Sequence, residues 1–126
     1  MGLPRKTVIT ITTDGSGNAT VYSDKFSGRI EAAIVAVGSL TTGFDFVLST
    51  ETTLQTFLTE TGPGDAEVFY PRSYTHLAAD GAIGTAAAAL LQTGIPVVNE
   101  RVKCVVANGG VSKTGTITII FDGVFP

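Results

Sequence analysis

Several short segments of this sequence alternate apolar and polar residues, and this two-residue period is the strongest constraint on the fold. Successive side chains of a β-strand point to opposite faces, so alternation is typical of a strand with one buried face. Such segments occur at residues 7–13, 44–50, 101–107 and 114–121. The side chains predicted to face a core are Ile9, Ile11, Phe44, Phe46, Leu48, Val102, Cys104, Val106, Ile117, Ile119 and Phe121.

The turns between these segments predict an all-β domain. Glycine-containing turns join seven or eight short strands, which favours a single-domain antiparallel β-sandwich, jelly-roll-like, over alternating strands and helices. A chain of 126 residues is long enough for one hydrophobic core. Residues 1–6 are predicted to form an N-terminal arm. Residues 72–98, rich in Ala and Gly, are predicted to form one long insertion loop that ends in a short strand.

The loops also suggest how the strands pair. The turn "DGSGN" is expected to close a hairpin between residues 7–13 and 19–27. The longer loop "NGGVSKTG" is expected to close a second hairpin between residues 101–107 and 114–121.

Two other segments have less regular patterns. Residues 28–38 are apolar on both faces, with Ile30 and Ile34 on one of them, which predicts a central strand or a strand covered by a neighbouring subunit. Residues 52–61 fit either a short helical turn or an irregular strand, because helical spacing of apolar residues is combined with five threonines. Pro71 is expected to end the strand that precedes it.

None of the candidate catalytic motifs is complete. Residues 113–115 read KTG, as in penicillin-recognising enzymes, but the S-x-x-K and S-D-N strings are absent, and a strand follows where a phosphate loop needs a helix. "DGSGN" lacks the later Gly and Glu of a calcium loop. His76, with Asp80 four residues later, is the single histidine and has no evident nucleophile or set of metal ligands around it. We expect no catalytic site, cofactor or metal.

Charge composition bears on the partners. Charged residues make up 15% of the chain, against about 25% in an average soluble domain. Either other subunits cover part of the surface, or the chain is a naturally threonine-rich β-protein. The basic residues are dispersed, which argues against a nucleic-acid partner. No signal peptide or membrane-spanning apolar run is visible, so we expect synthesis in the host cytoplasm and no membrane partner.

Three strings carry a resemblance: "KFSGRIEAAIVAVGSLTTGFDFVLSTETT", "YPRSYTH" and "RVKCVVANGGVSKTGTITIIFDG". Together they resemble a family of small all-β proteins encoded among the head genes of tailed bacteriophages. The resemblance implies a structural virion protein, in particular a capsid decoration (cement) protein that binds the outer capsid surface and stabilises the shell. Another head–tail or tail component, and a free β-sandwich binding module, are the alternatives.

The resemblance also implies partners, namely the major capsid protein and other copies of this chain in a homotrimer. The N-terminal arm is expected to lie on an acidic capsid surface, and the insertion loop to pack on the capsid protein or an adjacent subunit. Arg and Tyr are residue types that often anchor interfaces. The residues expected at these contacts are Leu3, Pro4, Arg5, Lys6, Arg72, Tyr74, His76, Leu90 and Leu91.

Overall fold

The computed structural model describes residues 3–41, 43–62, 66–74, 85–86, 89–90 and 92–126. All regular elements in these ranges are strands, and no helix there is long and apolar enough to cross a membrane. The strands are β1 (Leu3–Thr12), β2 (Ala19–Tyr22), β3 (Phe26–Ala36), β4 (Asp45–Thr50), β5 (Thr56–Thr61), β6 (Ala66–Phe69), β7 (Ser73–Tyr74), β8 (Thr85–Ala86), β9 (Ala89–Leu90), β10 (Gln92–Thr93), β11 (Ile95–Glu100), β12 (Val102–Ala107) and β13 (Thr114–Val124).

Two antiparallel sheets form the body of the domain. The first sheet has the order β1-β13-β3-β11, and β6 also pairs with β3, beyond the segment that β11 occupies. The second sheet has the order β2-β12-β4-β5. If β6 and β11 are counted as two halves of one strand, each sheet is four strands wide and the order is that of a jelly roll. The predicted all-β sandwich is therefore confirmed.

The core lies between the two sheets. All the side chains that the alternation predicted to face inward are buried, each at most 1% exposed. Phe26 of β3 stacks on Phe121 of β13, with ring centroids 4.1 Å apart, and Phe46 of β4 meets Phe69 of β6 edge-on at 5.9 Å. The second of these contacts joins the two sheets.

Both predicted hairpins are wrong. β1 pairs with β13 and β2 pairs with β12, so the turn at residues 14–18 carries the chain from the first sheet to the second. The loop at residues 108–113 carries it back, from β12 to β13. The backbone N–H of Gly109 donates to the Gly17 carbonyl at 2.9 Å, which ties these two connections together. Alternation identifies the buried face of a strand but not its partner, so hairpins between consecutive strands were the local expectation.

The segment at residues 28–38 is a central strand, as predicted, but Ile30 and Ile34 do not share a face. Phe121 pairs with Ile30 and Ile120 pairs with Ala32, which leaves Glu31 as the extra residue of a β-bulge. The bulge reverses the parity of β3, so Ile30 is buried and Ile34 is exposed.

The ambiguous segment at residues 52–61 contains an irregular strand, β5, rather than a helical turn. Leu48 pairs with Leu58 and Ser49 pairs with Thr56, so Phe57 is the extra residue of a second bulge. This bulge allows two consecutive apolar residues, Phe57 and Leu58, to pack against the core.

The expected arm and insertion loop are more regular than predicted. Residues 3–6 belong to β1 and pair with residues 120–123 of β13, so they are not a free arm. Within residues 72–98, β7 pairs with β10 and β8 pairs with β9, and β11 is longer than the short strand expected there. Their backbone donors and acceptors find partners across these pairs. β6 ends at Phe69, two residues before Pro71, as predicted.

Candidate interaction surfaces

The solvent side of the first sheet presents a surface that we call the outer face. One row of paired residues crosses four strands, from Val8 through Thr118 and Ile34 to Val68. A second row runs from Thr10 through Thr116 to Ala36, and Lys6 pairs with Ile120 in a third. The outer face consists of Lys6, Val8, Thr10, Thr12, Ile34, Ala36, Val68, Thr114, Thr116, Thr118 and Ile120.

The middle of the outer face carries no charge. Lys6 is the single charged residue among the members named above, and it lies toward the start of β1. Arg29 and Asp122, a register pair, lie one residue further toward the end of β13. Methyl-bearing residues, most of them threonine or valine, make up the remainder of the face, and burying them against a neighbour would desolvate no charged group.

The corresponding face of the second sheet is different. Arg101 and Glu51 form a bidentate ion pair there, with both nitrogen–oxygen distances 2.6 Å. The Arg101 guanidinium also lies 4.2 Å from the ring centroid of Tyr22. Lys103 and Asp45 project from β12 and β4 on the same side. The two solvent faces of the sandwich therefore differ in charge, and the outer face is the apolar one.

Two shallow depressions lie on the outer face. One is lined by Pro4, Arg5, Lys6 and Ile120. The other lies near the opposite end of β1 and is lined by Thr10, Ala36, Gly38, Thr114, Gly115 and Thr116. Neither brings together the titratable groups of a catalytic site.

One end of the sandwich exposes large apolar side chains, and we call it the apolar end. β1 begins there, β13 finishes there, and the turn between β4 and β5 and the last part of β11 reach it. Its members and their exposed fractions are Leu3 (66%), Leu54 (73%), Val98 (77%), Val124 (54%) and Phe125 (41%). At the other end, Val111 is the exposed large apolar side chain of the described loops.

Glu100 holds the β4–β5 turn against β11. Its carboxylate accepts hydrogen bonds from the Thr52 N–H at 2.8 Å, the Thr53 N–H at 3.1 Å and the Thr53 hydroxyl at 2.9 Å. Burial acts to raise the pKa of Glu100, but the hydrogen bonds from Thr53 and Thr52 outweigh it and hold the pKa below the ordinary value of 4.5. The side-chain amide of Gln55 donates to the Pro96 carbonyl at 3.1 Å, which adds a further tie between turn and strand.

Leu54 lies at the tip of this turn in a left-handed backbone conformation, with φ of 56°. A bulky residue in this region is an outlier, because its Cβ crowds the backbone, and glycine or asparagine is the usual occupant. The side chain is exposed, so little burial compensates for the strain.

The expected contact residues fall in different places. Leu3, Pro4, Arg5 and Lys6 are exposed along the first half of β1, and the Arg5 Nε donates to the Gly123 carbonyl at 3.1 Å. Of these, Leu3 belongs to the apolar end and Lys6 to the outer face.

The remaining expected contacts lie in or beside the insertion. Arg72 donates to the carbonyls of Glu31 and Pro71, each at 2.7 Å, and pairs with the Glu31 carboxylate at 3.3 Å, so its guanidinium braces the bulge of β3. The backbones of Tyr74 and Leu90 lie in β7 and β9. His76 and Leu91 lie outside the described residues.

Sequence reasoning missed Val8, Ile34, Val68 and Leu54 as contact residues. The signal for Ile34 was present, because residues 28–38 are apolar on both faces. The other residues gave no local signal, since their place on a shared surface depends on which strands pair.

Buried reactive groups do not suggest chemistry. Burial raises the pKa of the Cys104 thiol to about 12, which keeps it protonated and unreactive. Among the described residues, no group of three His, Cys, Asp or Glu side chains is placed to hold a metal ion. Comparisons with protein-family models, with curated proteins and with solved structures give no match to this chain.

Proposed function

We propose that this chain is a structural virion protein of a tailed bacteriophage that decorates the outer capsid surface and stabilises the shell. The observation that carries the proposal is the uncharged outer face of the first sheet. A four-strand surface of threonine, valine, isoleucine and alanine is costly to expose and well suited to packing against a neighbour. The resemblance of three long strings to phage head proteins adds the identity of the assembly.

The rest of the molecule agrees with such a role. A decoration protein must hold a rigid shape while it bridges neighbours, and the jelly roll provides a core that residues from both sheets fill. In the proposed assembly, outer faces of adjacent copies pack together in a trimer. Burial of threonine methyls and small apolar side chains drives this contact, and the hydroxyls remain able to hydrogen-bond across it.

Binding to empty, expanded capsids assembled from the major capsid protein of the same phage tests the proposal. We expect the chain to co-sediment saturably with these capsids, at hundreds of copies per particle, and to raise their melting temperature. Binding of only a few copies at one vertex would instead identify a head–tail component. No binding to capsids, together with a monomeric solution mass, would favour a free binding module.

An outer-face substitution sharpens the same experiment. Val8→Asp places a carboxylate in the middle of the uncharged row and should reduce both trimer formation and capsid occupancy by at least tenfold. Lys103→Asp is the matched control, because it changes charge on the face of the second sheet. Equal behaviour of the two variants would show that the outer face is not an interface.

A further inference from the structure

We propose that the apolar end, with Leu54 at its tip, is the surface that docks onto the capsid shell, and that its occupant is an apolar, uncharged recess of the major capsid protein. This inference rests on the proposed function and adds to it a division of labour. The outer face contacts other copies of the chain, and the apolar end contacts the shell.

The first argument is the asymmetry between the two ends of the sandwich. The apolar end carries five exposed large apolar side chains, four of them more than half exposed, whereas Val111 alone is prominent in the described loops of the other end. Single exposed apolar residues are ordinary, but their concentration at one end of a monomer marks an interaction site.

The second argument is that these side chains are connected. Leu3 pairs with Gly123, next to Val124, and Val124 pairs with Ser27. The Ser27 hydroxyl accepts from the N–H of Asn99, the neighbour of Val98, at 2.9 Å.

From there Glu100 reaches the turn that carries Leu54. Phe125 packs edge-on against the buried ring of Phe121, with centroids 5.3 Å apart. The apolar end therefore stands on hydrogen-bonded strand ends and a core aromatic residue, which supplies a rigid docking surface.

The third argument is the backbone of Leu54. Its left-handed conformation is unfavourable for leucine, and the exposed side chain gains little from the fold. The surrounding turn nevertheless enforces it, because the buried carboxylate of Glu100 binds both preceding N–H groups. Strain that the surroundings impose on an exposed apolar residue is typical of a contact residue held ready for a partner.

The chemistry of the end defines the recess it fits. Leu54 is flanked by threonines, and the nearest carboxylates are already engaged, Glu100 with the turn and Glu51 with Arg101. No free charge is available near the tip for a charged partner. A recess lined by aliphatic or aromatic side chains, with hydroxyl or backbone groups at its rim, is the complement.

Capsid binding by Leu54 variants tests the inference. Leu54→Gly and Leu54→Asn both tolerate the left-handed conformation and remove the apolar tip. We expect each to bind expanded capsids at least tenfold more weakly than the wild type. We also expect Leu54→Gly to raise the melting temperature of the isolated chain by a few degrees, because it relieves strain. Greater stability with weaker binding is a combination that a purely structural role for Leu54 does not produce.

Val111→Asn is the matched control, since it removes an exposed apolar side chain (61% exposed) at the other end and should leave binding unchanged. If Leu54 variants bind as tightly as the wild type, the inference is wrong while the proposed function stands. If they lower the solution mass instead of capsid binding, the end contacts a second copy and the inference is also wrong. Failure of the wild type to bind capsids would overturn both.

Discussion

Glu100 illustrates, at the scale of one residue, how a polar group is accommodated in this sandwich. It is the only acidic residue among the buried polar residues described, at 4% exposure, and it compensates its burial with three hydrogen bonds from one turn. Its place at the end of a strand was visible in the sequence, but its partners lie 47 and 48 residues away along the chain. The Glu100–turn contact therefore could not be predicted locally.

Glu100→Gln should destabilise the fold by about 1–3 kcal/mol at pH 7, because it removes the charge from hydrogen bonds that a carboxylate accepts. The pKa of Glu100 is lower in the folded chain than in the unfolded chain, so its contribution to stability is present above the ordinary value of 4.5 and is lost as the pH falls through the folded value. Urea denaturation of both proteins at pH 7 and pH 3 checks this. The difference between them should shrink at pH 3, and a difference independent of pH would contradict the role of the carboxylate.

Cys104 offers a second test at this scale. Because the thiol is fully buried and its pKa is raised to about 12, it should react with an aromatic disulfide reagent at pH 8 only when the domain opens. The labelling rate should therefore rise with urea in step with unfolding. Rapid labelling of the native chain, at the rate of a free thiol, would show that β12 is not in the core.

At the scale of elements, alternation predicted the strands well and their pairing poorly. The faces of β1, β4, β12 and β13 were correct because each strand keeps a regular period between its buried side chains. The two bulges, at Glu31 and Phe57, break that period and were not visible, since an extra residue is defined only by the partner strand. Pairing failed because the turns at residues 14–18 and 108–113 connect different sheets.

β13 provides the element-scale prediction. Ile119 is fully buried, so Ile119→Asp should unfold the domain or cost several kcal/mol, because the charge would have no partner in the core. Thr118 lies on the outer face between Val8 and Ile34, so Thr118→Asp should keep the fold. Thermal melts of the two variants check the parity of the strand. Equal loss of stability would contradict it.

Thr118→Asp also separates fold from assembly. The variant should melt as a folded chain yet lose self-association, since its carboxylate enters the uncharged row of the outer face. Light scattering during size-exclusion chromatography measures this. We expect the wild type at three times the 13.0 kDa of the single chain and the variant at the mass of one chain. A wild-type monomer would remove the trimer from the proposal.

At the scale of the whole molecule, the sandwich distributes its properties unevenly. One sheet face is charged, the other is not, and apolar residues gather at one end. The sequence indicated this only as a low overall charge of 15% and as apolar residues on both faces of one segment. Where those residues meet depends on the jelly-roll order, which places the first and last strands, β1 and β13, side by side.

The copy number of the chain in purified particles of the phage that encodes it tests the account most directly. Quantitative mass spectrometry, with the major capsid protein as internal reference, gives the ratio. A decoration protein should be present at hundreds of copies per particle, in a fixed ratio to the major capsid protein, and should be released before the shell dissociates. A few copies per particle, or none, would contradict capsid decoration.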